Sequence, residues 1–337
     1  MVEEIASGFY RITIPLPATL LGTVNAYVIR GEGHGRSLIV DTGMDLDLCA
    51  EAMEEGLRLV RVDRRRCDFF ITHSHPDHFA LVSRLAGEGS VIYIERREAE
   101  VIETVRSGEM FADFQHFARL TGFPDCDLAE VLPPELTRRP AVEHVWPFRF
   151  VGDEDRIHAG GYRFRCITTP GHSRGHTCLY EPDERLLVAG DHLLRDITPG
   201  IQAHTDAADP LRDYLVSLDK VYPLDVRLVL PGHHDPFTGF RERIDELREH
   251  HRARAAEIMA ELEDGGKSVF EVASGITWNV ADSDSWASVP DLQKLLATGE
   301  TFAHMRYLEG TGALRRETHG ERIIFSLRPG RAQPLIP

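Results

Sequence analysis

The chain has 337 residues, 42% hydrophobic and 27% charged, and can bury a core without disulfides or a structural metal. A formal net charge of −16 disfavours chain-wide affinity for phosphate backbones. The five cysteines are scattered with no Cys-x-x-Cys, no apolar run reaches membrane-span length, and the first six residues lack a signal peptide's basic start, so a reducing, cytoplasmic setting is expected.

Residues 9–14 alternate as a strand, ended by Pro15 and Pro17. Strands follow over 25–30 and 37–40 about a glycine-rich turn, and Asp41-Thr42-Gly43 ends the second. A helix is predicted over 46–60. The apolar run Phe69-Phe70-Ile71-Thr72 reads as a buried strand over 68–72, feeding directly into His73-Ser74-His75-Pro76-Asp77-His78. A helix over 79–86 and a strand over 91–94 complete this alternation. Residues 95–150 change character, with helices over 95–106 and 110–120 and then an irregular run marked by Pro124, Pro133, Pro134, Pro140 and Pro147. Phe111, Phe114 and Phe117 are spaced three apart, which predicts core packing of a helical insertion. The alternative is an apolar wall that receives an acyl or aryl group.

Alternation resumes in strands over 155–157 and 162–167, followed by Thr169-Pro170-Gly171-His172 and, four residues on, His176. Strands over 178–180 and 186–189 come next, the second ending in Gly190-Asp191-His192. A helix over 211–221 and a strand over 228–230 lead to Pro231-Gly232-His233-His234-Asp235. From 240 the composition shifts to a charge-rich helix over 241–263, helices over 269–274, 289–297 and 300–313, and a hairpin over 317–327. The predicted domains are 1–240 and a small, helical, winged-helix-like 241–337.

Successive apolar strands thus end in loops that carry His or Asp. A metal site at one sheet edge needs that recurrence, because distant segments must converge on one point. Zinc takes imidazole and carboxylate ligands and leaves a position to water at catalytic sites.

The sequence here resembles the metallo-β-lactamase superfamily. The resemblance rests on His73-x-His75-x-Asp77-His78, with later Pro-Gly-His172, Gly-Asp191 and Gly-His233 loops in the same order, and covers residues 9 to about 240. It implies an α/β fold, a four-layer αβ/βα sandwich of two mixed sheets. It implies a first metal on His73, His75 and His172, a second on Asp77, His78 and His233, and Asp191 bridging them. The implied cofactors are two divalent metal ions, zinc foremost, with iron or manganese as alternatives that these donors do not distinguish. The Val40-Asp41-Thr42-Gly43 turn matches a family loop that supports the site from below. Ala80 departs from a common family glycine. His176 and His192 flank ligands and are expected to hydrogen-bond them, or alternatively to contact substrate; His234 and Asp235 stay open. His34, His116 and His158 read as surface residues.

The implied mechanism is attack by metal-activated hydroxide on an acyl carbon or a phosphorus, with Asp77 as the catalytic residue that orients the nucleophile and accepts a proton. The Gly-Asp-His-Leu-Leu run at 190–194, the Asp209 to Leu218 stretch and the Arg241 to Arg252 helix are similar to the LACTB2-like branch, near glyoxalase II-like proteins. That branch includes acyl-carrier thioesterases and a ribonuclease-like protein. Arg241, Arg243, Arg252 and Arg254 either meet a phosphate of coenzyme A or RNA, or are solvated charges balanced by Glu242, Asp245, Glu246 and Glu249. The favoured function is thioester or ester hydrolysis of a small-molecule acyl substrate. A phosphodiesterase or ribonuclease is the alternative, against which stand the acidic balance and the lack of an aromatic-basic surface. A winged-helix DNA-binding regulator is disfavoured because 289–313 carries only Lys294 and Arg306 as basic residues. Membrane and nucleic-acid partners are not expected, and a homodimer is left open. β-Lactam hydrolysis is not expected, because Asp77-His78 differs from the common lactamase pattern.

Overall fold

Alternating apolar residues at the start of the chain build one face of a sheet whose other face is also buried. The computed structural model describes residues 1–17, 19, 21–33, 35–125, 128–132, 148–203, 205, 208–278 and 285–329. The readings of His34, Cys126, Pro133, Pro134, Pro140 and Pro147 lie outside them. Two compact units are present. The first gathers Met1–Glu103, Ala141–Pro199 and Ser217–Arg243.

Its larger sheet runs in sequence order: β1 (Val2–Ala6), β2 (Phe9–Pro15), β3 (Thr23–Ile29), β4 (Ser37–Val40), β5 (Cys67–Phe70), β6 (Ile92–Glu95) and β7 (Phe148–Val151). Pairing is antiparallel as far as β4 and parallel from there to β7. The crossovers into β5 and β6 are α1 (Asp47–Leu59), and α2 (Pro76–Phe79) with α3 (Val82–Leu85). The helix predicted over 79–86 is therefore two short helices. The second sheet holds β8 (Arg156–Ala159), β9 (Tyr162–Thr168), β10 (Thr177–Glu181), β11 (Leu186–Gly190) and β12 (Leu228–Pro231). Its order is β12-β11-β10-β9-β8, and only β11–β12 is parallel.

The period of two along β4 and β5 sorts the layers. Ile39 and Phe69, directly paired, face the helical side with Met53 and Leu57 of α1. Val40 and Phe70, the next pair, face Phe164, Leu179, Val188 and Leu230 of the second sheet. Strands buried on both faces read as continuous apolar runs, which is why β4, β5 and β11 stand out in the sequence. Strands β4, β5, β9, β11 and β12 all deliver their C-terminal ends to one edge, where the histidine and aspartate loops begin.

The second unit draws on Thr104–Pro140, Gly200–Val216 and Ile244–Pro337. Helix α4 (Arg96–Ser107) runs into it, followed by α5 (Glu109–Thr121) and α6 (Leu128–Val131). Helix α7 (Pro210–Val221) starts in it, and α8 (Phe240–Glu261), α9 (Val269–Gly275) and α10 (Asp291–Gly310) supply the rest. A three-stranded antiparallel sheet, β13 (Lys267–Ser268), β15 (Arg322–Leu327) and β14 (Leu314–His319), completes it. Phe114 and Phe117 are buried, and the Phe117 ring lies 6.0 Å from Phe302. Phe117 is thus spent in this unit's core and is not free to wall an acyl pocket. The two helices predicted over 289–297 and 300–313 are one helix, α10. Thr298 and Gly299 do not break it. Thr298 Oγ1 donates to the Lys294 carbonyl, and the Ala203 amide donates to the carbonyl of buried Gly299 at 3.1 Å. Among the described residues, no helix is long and apolar enough to cross a membrane. The four described cysteines are free and buried.

Candidate metal centre

Five strand ends of the first unit present their loops at one place, and the imidazoles there turn nitrogen toward nitrogen. His73 Nε2 lies 3.0 Å from His75 Nδ1, His172 Nε2 lies 3.1 Å from the same atom, and His78 Nε2 lies 3.2 Å from His233 Nε2. Asp191 reaches toward both groups: Oδ1 is 3.5 Å from His78 Nε2, and Oδ2 is 3.6 Å from His172 Nε2 and 3.4 Å from His233 Nε2. Asp77 Oδ2 is 3.4 Å from His233 Nε2. Three donor sets able to hold an ion result: His73, His75 and His172; His73, His78 and Asp191; and Asp77, His78 and His233. All seven residues named from the sequence are brought together.

The outer nitrogens show which atom each ring offers. Asp41 Oδ2 accepts from Thr72 Oγ1 at 2.8 Å, so the Thr72 oxygen is left to accept from His73 Nδ1 at 3.0 Å. His78 Nδ1 donates to Asp41 Oδ2 at 2.8 Å, and His233 Nδ1 donates to the Thr23 carbonyl at 2.7 Å. Each of the three rings therefore keeps a proton on Nδ1 and turns Nε2 into the site, the orientation that metal-ligating histidines take. Asp191 Oδ1 is buried and has no hydrogen-bond partner among the described residues. Ring nitrogens converging on one another, with a buried carboxylate oxygen that lacks a hydrogen-bond partner beside them, are what a cation resolves. The donor set fits one or two divalent ions.

The electrostatics divide the site. Burial, reinforced by the neighbouring imidazoles, pushes His73 well below its ordinary range, so its lone pair is free. For His78 and His233 burial works in the same direction, but the Asp191 and Asp77 carboxylates outweigh it and lift both rings. Burial would raise Asp77, yet the charges of His78 and His233 hold it down. The second set thus has the stronger field for a cation.

Asp41 supports this floor as the resemblance implied, from a left-handed backbone at φ 57°. Its Oδ1 also accepts from the Thr72 amide at 2.9 Å. Some of the supporting groups could not be read from the sequence. Asn25 Nδ2 donates to the carbonyls of Pro231 and His234, and Tyr27 Oη donates to Pro231. These two β3 residues hold the His233 loop through its main chain, which leaves no side-chain motif to notice.

His176 sits under Asp191: its Nε2 accepts from the Asp191 amide at 3.2 Å, and Nδ1 donates to Thr169 Oγ1 at 2.8 Å. His192 is fully buried, and burial pushes it down to about 3. His234 takes a left-handed backbone at φ 63°, with Nδ1 3.7 Å from Asp196, and Asp235 pairs with Arg11. None of the three joins a donor set. Arg241 is not among them either; it donates to the Tyr222 and Leu224 carbonyls and lies over the Tyr222 ring. Arg252, in the second unit, pairs with Glu249 at 2.8 Å, and Arg243 donates to the Leu194 and Ile197 carbonyls. His116 and His158 are exposed.

A protein of Caenorhabditis elegans named beta-lactamase-like protein 2 homolog is 31% identical over 290 residues, which is 85% of this chain and 80% of that one. The human protein named acyl-coenzyme A thioesterase MBLAC2 is 26% identical over 242 residues, 68% of this chain and 79% of its own. A crystal structure of a metallo-beta-lactamase family protein from Thermus thermophilus superposes with a TM-score of 0.79 at 27% identity, covering 96% of this chain and all of that one. The family model described as the metallo-beta-lactamase superfamily matches residues 20–233, the span that contains every donor named above. With that span and those relatives, the chain belongs to the metallo-β-lactamase superfamily and is a hydrolase of its β-lactamase-like protein 2 branch.

Proposed function

We propose that this hydrolase cleaves a thioester or ester of a small acyl substrate, with two divalent ions held as the resemblance implies. His73, His75 and His172 form one set, Asp77, His78 and His233 the other, and Asp191 lies between. The observation that carries the metal reading is the convergence of ring nitrogens and carboxylates in one place, with Asp191 Oδ1 buried and lacking a hydrogen-bond partner among the described residues. The acyl substrate is supported by the relative named as an acyl-coenzyme A thioesterase, which aligns with two-thirds of the chain. Bound ions would supply a hydroxide near neutral pH and polarise the acyl oxygen.

The chain's own groups do the rest. His73, His78 and His233 are buried, whereas His75 is exposed and Asp77 and His172 are part-exposed, so substrate approaches over the latter three. Asp77 keeps Oδ2 toward His233 and lies on the part-exposed side of the site. There it can orient a water and take up its proton. His176 fixes the Asp191 backbone, and with it the carboxylate between the two sets.

A panel of acyl-coenzyme A and acyl-glutathione thioesters, assayed with and without divalent metal, tests the reading. Metal-dependent turnover of at least one thioester is expected; no turnover on any of them would count heavily against it. Single-stranded RNA belongs in the same panel. Metal-dependent cleavage of RNA that vanishes in Asp77→Ala would move the assignment to phosphoryl transfer.

A further inference from the structure

Glu98 lies in the first turn of α4, in the first unit, and is fully buried. Carboxylates are rarely so buried unless both oxygens are spent on partners. Here they are: Oε2 accepts from the Ser74 amide at 2.8 Å and from Ser74 Oγ at 2.6 Å, and Oε1 accepts from the Gly175 amide. Ser74 stands between His73 and His75, and Gly175 stands between His172 and His176. One carboxylate therefore ties together the two loops that carry the His73, His75 and His172 set. The fit is tight at the far end. A side chain added at Gly175 would strike the Glu95 carboxylate and come within 3.2 Å of Glu98 Cγ.

We infer that Glu98 is a positioning residue that presets the first metal set by clamping the His73–His75 loop to the His172 loop. The inference rests on the metal reading above. Its chemistry is specific to a carboxylate. Both loops present N–H donors, and only a group that accepts on both oxygens can serve both. A glutamine of the same shape accepts from one loop and must turn its own N–H₂ toward the donor of the other. Asp41 is a second buried carboxylate behind the site, bonded to His78 directly and to His73 through Thr72.

The test uses the full chain, stripped and reloaded with Zn²⁺ or Co²⁺. In Glu98→Gln, one of two metal equivalents should bind about 10–100-fold more weakly in chelator competition, the usual range for losing a partner behind a ligand. That equivalent should also leave faster on chelator challenge, and the Co²⁺ absorption should change. On a thioester turned over by the wild type, kcat should fall with KM little changed. Ser74→Ala keeps both amide bonds to Glu98 and should show a smaller loss in the same direction. It also carries the test if Glu98→Gln does not fold. Wild-type affinity and stripping rate for both equivalents in the folded variants would overturn the inference, even if thermal stability dropped, because Glu98 would then only anchor α4. A wild-type chain that binds no metal would instead overturn the metal reading, and the inference with it.

Discussion

Gly232 has no side chain to offer a metal or a substrate, yet replacing it with alanine should disable the site. A Cβ built there lies 2.7 Å from His78 Cε1, closer still to Asp191 Oδ1, and 3.2 Å from the Gly190 carbonyl carbon. Carbon atoms pack at about 3.5–4.0 Å, so the His78 ring and the Asp191 carboxylate must each retreat by about 1 Å. Neither can retreat freely. His78 is held by Asp41, and Asp191 is held by His176 through its amide. Overpacking of this kind costs about 1–3 kcal/mol of stability, but misplacing reacting groups by about 1 Å can cost about 100-fold in rate. The expected outcome is a folded protein with reduced metal content and kcat lowered by about 100-fold. Gly87→Ala is the control, because a Cβ there meets nothing nearer than 3.5 Å. Metal content is read by elemental analysis and turnover on a thioester found in the panel. A Gly232→Ala protein with wild-type metal content and kcat would refute the claim that this glycine sets the spacing between Asp191 and His78.

His75→Ala and Asp191→Ala should each abolish turnover and lower metal content; full activity in a metal-free His75→Ala protein would sink the assignment. Loading metal into stripped protein near neutral pH should release protons, because Asp191 and Asp77 hold His78 and His233 in their protonated forms until a metal replaces the proton. Absence of release in weakly buffered solution would contradict this. The sign for the stripped protein follows: with folded values above the ordinary 6.5, these two rings stabilise it below that pH, and their contribution fades as pH rises through the folded values. In the second unit, buried His304 donates to the Glu300 carbonyl and accepts from His251 Nδ1, and burial pushes it down to about 4. Its neutral form is the folded one, so stability worth about 3 kcal/mol should be present above pH 6.5 and lost as pH falls toward 4. His304→Gln, whose side-chain oxygen can still accept from His251, should lessen that slope in denaturant titrations at several pH values, the remainder coming from His251, which burial also holds low; an unchanged slope would assign it to other groups. Phe117→Ala should lower the second unit's stability by about 3–5 kcal/mol while leaving metal content intact, as read by denaturant unfolding and elemental analysis.

The legible part of this molecule is its chemistry at strand ends. His73 to His78 announces itself because the donors are contiguous, Asp191 and His233 because each follows a continuous apolar run, and His172 because a Pro-Gly-His turn ends an alternating strand. Glu98 stays hidden for a physical reason. It sits in Arg96-Arg97-Glu98-Ala99-Glu100, which has the pattern of a solvated helix start, and only the fold turns that one carboxylate inward. Asn25 and Tyr27 are invisible because they act on carbonyls, which every residue has. Strand β1 escapes the pattern because Val2-Glu3-Glu4-Ile5-Ala6 is polar, as an edge strand can be. Helix α10 reads as two because glycine usually weakens a helix, and the burial of Gly299 within the second unit is a long-range fact. The basic residues of α8 have two readings in the sequence, and in the structure Arg241 and Arg243 cap carbonyls of the first unit.

The second unit is assembled from three stretches of chain that are far apart in sequence, and this bears on how the protein is made. During synthesis Phe114 and Phe117 leave the ribosome long before Phe302, the ring partner of Phe117, exists. Until then α5 has no finished core to enter, and such stretches are exposed to aggregation and to chaperone capture. A fragment cut at residue 240, which looks like a tidy catalytic domain on paper, would carry that exposed surface permanently, along with Leu211 and Tyr214. Expression of a minimal hydrolase from this chain therefore calls for removing or resurfacing those inner stretches, not only for trimming the end.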